Sequence, residues 1–454
     1  VDRVTEGIAA EAGARARYRV ATLGERTVAS PLGLSASRRE LPSYVPDGAC
    51  VLEDIELAPG VAPDADRVLE KAGPRERLFF EPGRTNAAIL TSGGLCPGIN
   101  DVIRSLVLQL VHKYAVQSVT GIRYGFAGLD PGAPGSAEPV ALGPDQVRHI
   151  HRLGGTVLGT SRGPHDPRVM MDTLLARGIQ ILFAIGGDGT MRGAHALAEE
   201  ARRRGAALAV VGVPKTIDND IPFVDKTFGF ETAVAMARTA IDAAHTEALS
   251  LQNGVGLVKL MGRGAGFIAA QAAIASHDVN VCLVPEVPFR LDGPGGLLAY
   301  LERRLALRSH AVIVVAEGCG AELVDQTSGL GAPRDASGNI SFAAPELDIG
   351  VYLKRAILRH FADRGTPVTL KYIDPSYVLR GVPAGAMDAA FCGDLARNAV
   401  HAAMAGKTDM MIGRLHRAFT HVPLPLVLSE KKRIDPHGEL WLAVTEATGQ
   451  PPFV

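Results

Sequence analysis

The sequence predicts an α/β protein: two Rossmann-like lobes with parallel-rich sheets sandwiched by helices, plus an irregular N-terminal extension. Three observations carry this expectation. The chain has 454 residues, too many for one ordinary core. From Asn86 onward, apolar runs of strand length alternate with amphipathic stretches of helix length, the grammar of parallel strands covered on both faces. Glycine-rich turns stand where such a run gives way to a helix. The expected division is 1–83 as the extension, 84–220 as a first lobe joined by part of the C-terminal segment, 221–415 as a second lobe, and 416–454 as the C-terminal segment.

The elements follow in order. Residues 1–83 carry Pro, Ser and acidic residues with little sustained periodicity, as in Ser30-Pro31-Leu32-Gly33-Leu34. They read as a segment packed on the body or on a neighbouring subunit. Residues 86–90 form a strand and 101–113 a helix, with Val102, Ile103, Leu106, Leu110 and Val111 on one face. Strands are expected at 117–123 and 156–158, a helix at 168–177, a buried strand at 181–185 and a helix at 191–204. A strand at 207–213 leads to a long helix at 231–250 and a strand at 255–260. Residues 265–276 are expected helical, 281–284 a strand and 296–308 a helix. Strands at 311–316 and 368–373 precede a helix at 385–404. Sites in such folds lie at the carboxyl ends of strands.

The most informative turn is Gly186-Gly187-Asp188-Gly189-Thr190. Unpaired backbone N–H groups and the helix dipole favour an anion there, and glycine lets the main chain approach a phosphate. Asp188 can hold Mg²⁺ beside that phosphate, and Thr190 can cap the helix. The turn points to a nucleotide-phosphate site and a kinase. Taken alone, it also looks like the phosphate site of NAD and diacylglycerol kinases.

Other segments add to it. Thr91-Ser92-Gly93-Gly94-Leu95-Cys96-Pro97-Gly98 is a second glycine turn entering a helix. Arg162, in the loop after residue 158, has a fork of donors able to bridge two phosphates. Pro214-Lys215-Thr216-Ile217-Asp218-Asn219-Asp220 places two carboxylates and an amide at a strand end, where Asp218 can take a proton from an attacking hydroxyl and Asp220 can orient it or help hold Mg²⁺ through water. Met261-Gly262-Arg263-Gly264 closes another strand, with Arg263 placed to neutralise a phosphate. Glu317, Lys371, Tyr377 and Arg380 extend a cation-rich rim suited to a sugar phosphate.

Composition narrows the class. Net charge is −1, so bulk charge gives no sign of nucleic acid or an anionic membrane. No apolar run is long enough to span a bilayer, and the start, Val1-Asp2-Arg3, lacks a secretory pattern. Five scattered cysteines without a Cys-x-x-Cys suit a reducing cytoplasm. Cys96 reads as a small filler in its turn. Gly406-Lys407-Thr408 mimics the end of a Walker A loop, but His401 stands where its first glycine belongs. Asn339-Ile340-Ser341 is a glycosylation sequon without secretory context.

In this order the motifs resemble the phosphofructokinase family, over residues 23–413. They resemble its long-chain group, found in plants and some protists and bacteria, in Ser161-Arg162-Gly163-Pro164, in Arg192-Gly193-Ala194 after the glycine turn, in Asn253-Gly254, and in Lys371-Tyr372-Ile373-Asp374-Pro375-Ser376-Tyr377. The resemblance implies a phosphoryl transfer from Mg-ATP to the 1-hydroxyl of fructose 6-phosphate, in glycolysis. It implies Asp218 as general base, assisted by Asp220 and Arg263, and Asp188 as the Mg²⁺ ligand. It implies Gly93, Arg162, Gly163, Gly187, Asp188, Gly189 and Thr190 on the nucleotide in the first lobe. Thr216, Ile217, Asp218, Met261, Gly262, Arg263, Glu317, Lys371, Tyr377 and Arg380 are implied on the sugar phosphate. A homotetramer is implied, with a dimer next.

Two positions bear on the donor. Pyrophosphate-using members typically carry Asp at the place of Gly189, where its charge and bulk exclude the α-phosphate of ATP. Lys215 stands where pyrophosphate users have Lys and bacterial ATP users have Gly. Steric exclusion acts through the first position, so ATP is expected and pyrophosphate is the alternative. A non-catalytic sugar-phosphate-binding subunit is a remote third reading. Gly254 departs from the short-chain enzymes, which have there an arginine reaching a neighbouring subunit's sugar phosphate.

Overall fold

The computed structural model describes residues 16–37, 43–320, 323 and 348–454. The Val1-Asp2-Arg3 start and the Asn339-Ile340-Ser341 sequon lie outside the described residues. The chain divides into two compact units. The first comprises 1–216, 221–229 and 382–431; the second comprises 217–220, 230–381 and 432–454. Residues 382–415, expected in the second lobe, therefore sit with the first. The helix Ala386–Met404 packs its apolar side on the helix Ile99–Tyr114 and on the strand Ala209–Pro214.

The first unit is built on a nine-stranded sheet. Its order is Cys50–Leu52, Val68–Lys71, Ala418–Pro423, Met410–Leu415, Ala209–Pro214, Ile181–Gly186, Asn86–Thr91, Ser118–Ile122 and Val140–Ala141. The five strands from Met410–Leu415 to Ser118–Ile122 are parallel. Antiparallel pairs finish both edges. The central strands are buried along their whole length, which is why they read as unbroken apolar runs. On one face Leu90, Leu182 and Val210 meet Met171 and Leu174 of the helix Pro167–Ala176 and Met191 and Leu197 of the helix Asp188–Arg203.

The second unit has a four-stranded, all-parallel sheet in the order Val281–Leu283, His310–Ala316, Gly254–Leu260, Thr369–Ile373. Val255, Leu257, Ile313 and Val315 bury one face against the helices Leu297–Arg308 and Ile349–Asp363. By the two-residue period of a strand, Gly254 and Gly256 face the other way, where the helix Phe230–Leu249 packs. A Cβ on Gly254 would stand 2.1 Å from the Ala248 carbonyl oxygen. Close helix–strand packing thus leaves no room at this position for a side chain.

Four local expectations are corrected. Residues 156–158 form a turn, not a strand: the Val157 N–H donates to the Asn100 side chain at 3.0 Å, and the Leu158 carbonyl accepts from Tyr124 N–H at 2.8 Å. The helix expected from 191 begins at Asp188, capped by Gly187. Thr190 is thus its third residue, and its hydroxyl donates to the Ser92 carbonyl at 3.4 Å instead of capping. Within the extension, two short strands join the main sheet, Cys50–Leu52 and Val68–Lys71. The decoy lysine, Lys407, is buried against Glu70 at 2.7 Å on a strand paired with Ala21–Thr22.

Candidate active site

In the first unit the chain leaves Asn86–Thr91 for Ser118–Ile122 on one side, then crosses to Ile181–Gly186 and Ala209–Pro214 on the other. The strand order reverses between Asn86–Thr91 and Ile181–Gly186. Their parallel register sets Thr91 opposite Ile185 and Pro214 opposite Gly186. Three consecutive strand ends therefore release three loops into one crevice, the place where open α/β sheets bind ligands. Those loops carry Gly93, Gly187–Thr190 and Lys215.

Hydrogen bonds hold the rim in shape. Ser92 N–H donates to the Ile185 carbonyl at 3.0 Å, and Gly93 N–H donates to the Ser161 carbonyl at 3.1 Å. The Thr160 hydroxyl returns a 2.7 Å bond to the Gly93 carbonyl. The loop with Arg162 and Gly163, though not the end of a strand, is thereby laid beside the glycine turns. Lys215 is buried, with its ammonium 2.6 Å from the Gly94 carbonyl. A Cβ on Gly189 would meet nothing within 4 Å. Asp188 opens the helix Asp188–Arg203 at its positive end. Its half-buried carboxylate pairs with Arg192 and lies 3.9 Å from the Lys431 ammonium.

A magnesium ion fits this place only as the companion of a phosphate. Among the described residues no group of three or more His, Cys, Asp or Glu side chains converges to hold a metal. A single carboxylate beside an anion crevice is the usual protein share of a nucleotide-borne Mg²⁺.

The second unit supplies the other half of the predicted chemistry. Register sets Leu260 beside Ala316, so Met261-Gly262-Arg263 and Glu317 leave neighbouring strand ends. Glu317 N–H donates to the Leu260 carbonyl at 2.8 Å, and Arg263 Nε stands 3.3 Å from Glu317 Oε1. Asp218 is half-buried here, close enough to Asp220, Glu317, Arg263 and Arg380 to feel their charges. Burial, then the carboxylates of Asp220 and Glu317, push its pKa well above the usual aspartate range; Arg263 and Arg380 pull the other way. Burial likewise raises Glu317.

Two predicted residues are not brought into this group. Lys371 pairs in register with Gly256, well before the strand end, and its half-exposed ammonium lies 4.0 Å from Glu247. Tyr377 is 78% exposed, its ring under the Arg380 guanidinium at 5.1 Å. Register explains Lys371: a residue near a motif can still sit in the middle of its strand, here beside Gly256.

Sequence reading missed the residues that brace these ends. Lys259 is buried between Asp348 (2.5 Å) and Asp374 (2.9 Å). Burial opposes its charge, but the two acids outweigh that and hold its pKa up. Tyr372 donates to Asp348 at 3.1 Å, and Asp348 caps the helix Ile349–Asp363. Lys431 and Lys432 belong to the basic run Lys431-Lys432-Arg433, a local signal by which they could have been found. Cys96 is the buried filler expected, its thiol donating to the Phe228 carbonyl at 3.1 Å.

Comparison with known proteins adds the chemistry of relatives. The family described as Phosphofructokinase matches residues 86–403. The chain is 46% identical over 446 residues to an ATP-dependent 6-phosphofructokinase of Amycolatopsis methanolica, covering 95% of each chain. It is 49% identical over 382 residues to the ATP-dependent 6-phosphofructokinase of Trypanosoma cruzi, covering 84% of this chain and 76% of that one. A crystal structure titled as a pyrophosphate-dependent phosphofructokinase from Marinobacter aquaeolei superposes with a TM-score of 0.64, over 80% of this chain and 91% of that one. At 21% identity it bears on the fold alone.

Proposed function

The chain belongs to the phosphofructokinase family, and on that premise we propose that it transfers the terminal phosphoryl group of ATP to the 1-hydroxyl of fructose 6-phosphate, giving fructose 1,6-bisphosphate and ADP. The observation that carries the reading is Asp218, half-buried within reach of Asp220, Glu317, Arg263 and Arg380. A half-buried carboxylate with a raised pKa beside two guanidinium groups suits a base that must accept a hydroxyl proton next to a bound phosphate. Asp220 orients that hydroxyl. Arg263 and Arg380 hold the sugar phosphate, Glu317 accepts from its hydroxyls, and Thr216, Ile217, Met261 and Gly262 shape the pocket around it. Lys371 and Tyr377, placed by resemblance, would need a shift on binding to join them.

On the donor side, Gly93, Arg162, Gly163, Gly187, Gly189 and Thr190 receive the triphosphate. Asp188 would hold Mg²⁺, which spreads the charge of the phosphoryl oxygens during transfer. The open space at Gly189 supports ATP, while Lys215 is the feature that favours pyrophosphate. A coupled assay with each donor decides: robust turnover with pyrophosphate and none with ATP overturns the choice. Asp218→Asn or Asp218→Ser tests the base, and nearly unchanged turnover would remove it from that role.

The assembly follows from the resemblance: a homotetramer, with a dimer as the alternative, to be read from mass by light scattering. A cytoplasmic place is proposed on the scattered cysteines; no helix among the described residues is long and apolar enough to cross a membrane.

A further inference from the structure

The loop that carries Asp218 is fastened by a residue outside every motif above. Lys432 donates its backbone N–H to the Asp220 carbonyl at 3.2 Å. Its ammonium reaches the Asn219 side-chain oxygen at 3.4 Å and rests over the Phe267 ring, 5.3 Å from the centroid. Asn219 is buried between the two aspartates with φ +55°, in the left-handed region that Asn enters more readily than other residues with a side chain. The lysine's own stretch is anchored in turn. The Glu286 carboxylate accepts from Ile434 N–H at 3.0 Å and from Gly266 N–H at 3.1 Å, at the start of the helix Phe267–Ser276.

We propose that Lys432 is a positioning residue for phosphoryl transfer. Its two bonds hold the left-handed Asn219 turn, and so fix the direction in which Asp218 presents its carboxylate to the acceptor hydroxyl. This rests on the reading of Asp218 as general base. A misplacement of a reacting group by about 1 Å costs on the order of 10²-fold in rate, so a modest slackening of this turn is visible in turnover.

The test uses the full chain. Lys432→Met keeps the backbone bond and the methylene stem on Phe267 but loses the ammonium. It is expected to lower kcat by about 10-fold or more, with KM for both substrates and the thermal midpoint close to wild type; Lys432→Arg should recover most of the loss. Asn219→Gly keeps the left-handed backbone and removes the amide, so it should show the same defect. The double variant should be no worse than either single one, because the two residues act through one contact. Wild-type kcat in Lys432→Met, losses that multiply in the double variant, or a defect in KM alone would each overturn the proposal. If Lys432→Met does not fold, Asn219→Gly decides by the same criterion. Asp218→Asn runs alongside: if it keeps turnover, the base reading itself has failed, whereas a dead Asp218→Asn with a fully active Lys432→Met rejects only the role of the lysine.

Discussion

Half-buried beside Asp220 and Glu317, the Asp218 carboxyl keeps its proton to a higher pH than an exposed aspartate does. As the base it must be ionised, so kcat/KM should fall with acid through a midpoint above the ordinary aspartate value of about 3.9. Asp220→Asn removes one like charge and should move that midpoint to lower pH; a pH–rate profile of both proteins measures the shift. The same raised pKa carries a stability cost. Between the unfolded and folded pKa values the native state binds the extra proton, so stability falls as pH rises through that window. Asp218→Asn escapes this loss. Its thermal midpoint should exceed that of the wild type near and above neutral pH, and the gap should close towards pH ~4, while turnover drops by about 10²-fold or more.

Two glycines at the strand-to-helix junction show how an element sets the crevice. Gly186 ends its strand, and a Cβ there would fall 2.0 Å from the Thr190 hydroxyl. Gly186→Ala should push the helix start away from Ser92 and cost about 1–3 kcal/mol, read by chemical denaturation. Gly189 lies in the first turn of the helix Asp188–Arg203 with open space before it. Gly189→Ala should hold or gain stability, by up to about 1 kcal/mol from helix propensity, yet raise KM for ATP because its methyl group enters the anion crevice. A stabilised variant with unchanged KM would place the triphosphate elsewhere.

At the scale of the whole molecule, the extension is part of the scaffold. Val68–Lys71 pairs with Ala418–Pro423 and Cys50–Leu52 pairs with it in turn. Glu70 accepts from Lys407 and faces the buried His421. Deleting residues 1–83 bares a sheet edge and leaves Lys407 without that carboxylate. The shortened chain should aggregate and lose its sharp thermal transition, followed by light scattering and circular dichroism; a monodisperse product with the native midpoint would contradict this.

By itself the sequence determined the α/β grammar and most chemistry-bearing turns, because apolar periodicity and glycine-rich junctions are local signals. Gly186–Thr190, Asp218 and Arg263 could be read that way. Tertiary structure alone decided what depends on registers between distant strands. Parallel pairing of Asn86–Thr91, Ile181–Gly186 and Ala209–Pro214 gathers their loops, while the pairing of Lys371 with Gly256 keeps that lysine back from the strand ends. It also showed residues 156–158 as a hydrogen-bonded turn, sent the helix Ala386–Met404 to the first unit and brought Lys432 against Asn219. A lysine 213 positions away from its partner leaves no trace in local periodicity; only the folded path of the chain makes them neighbours.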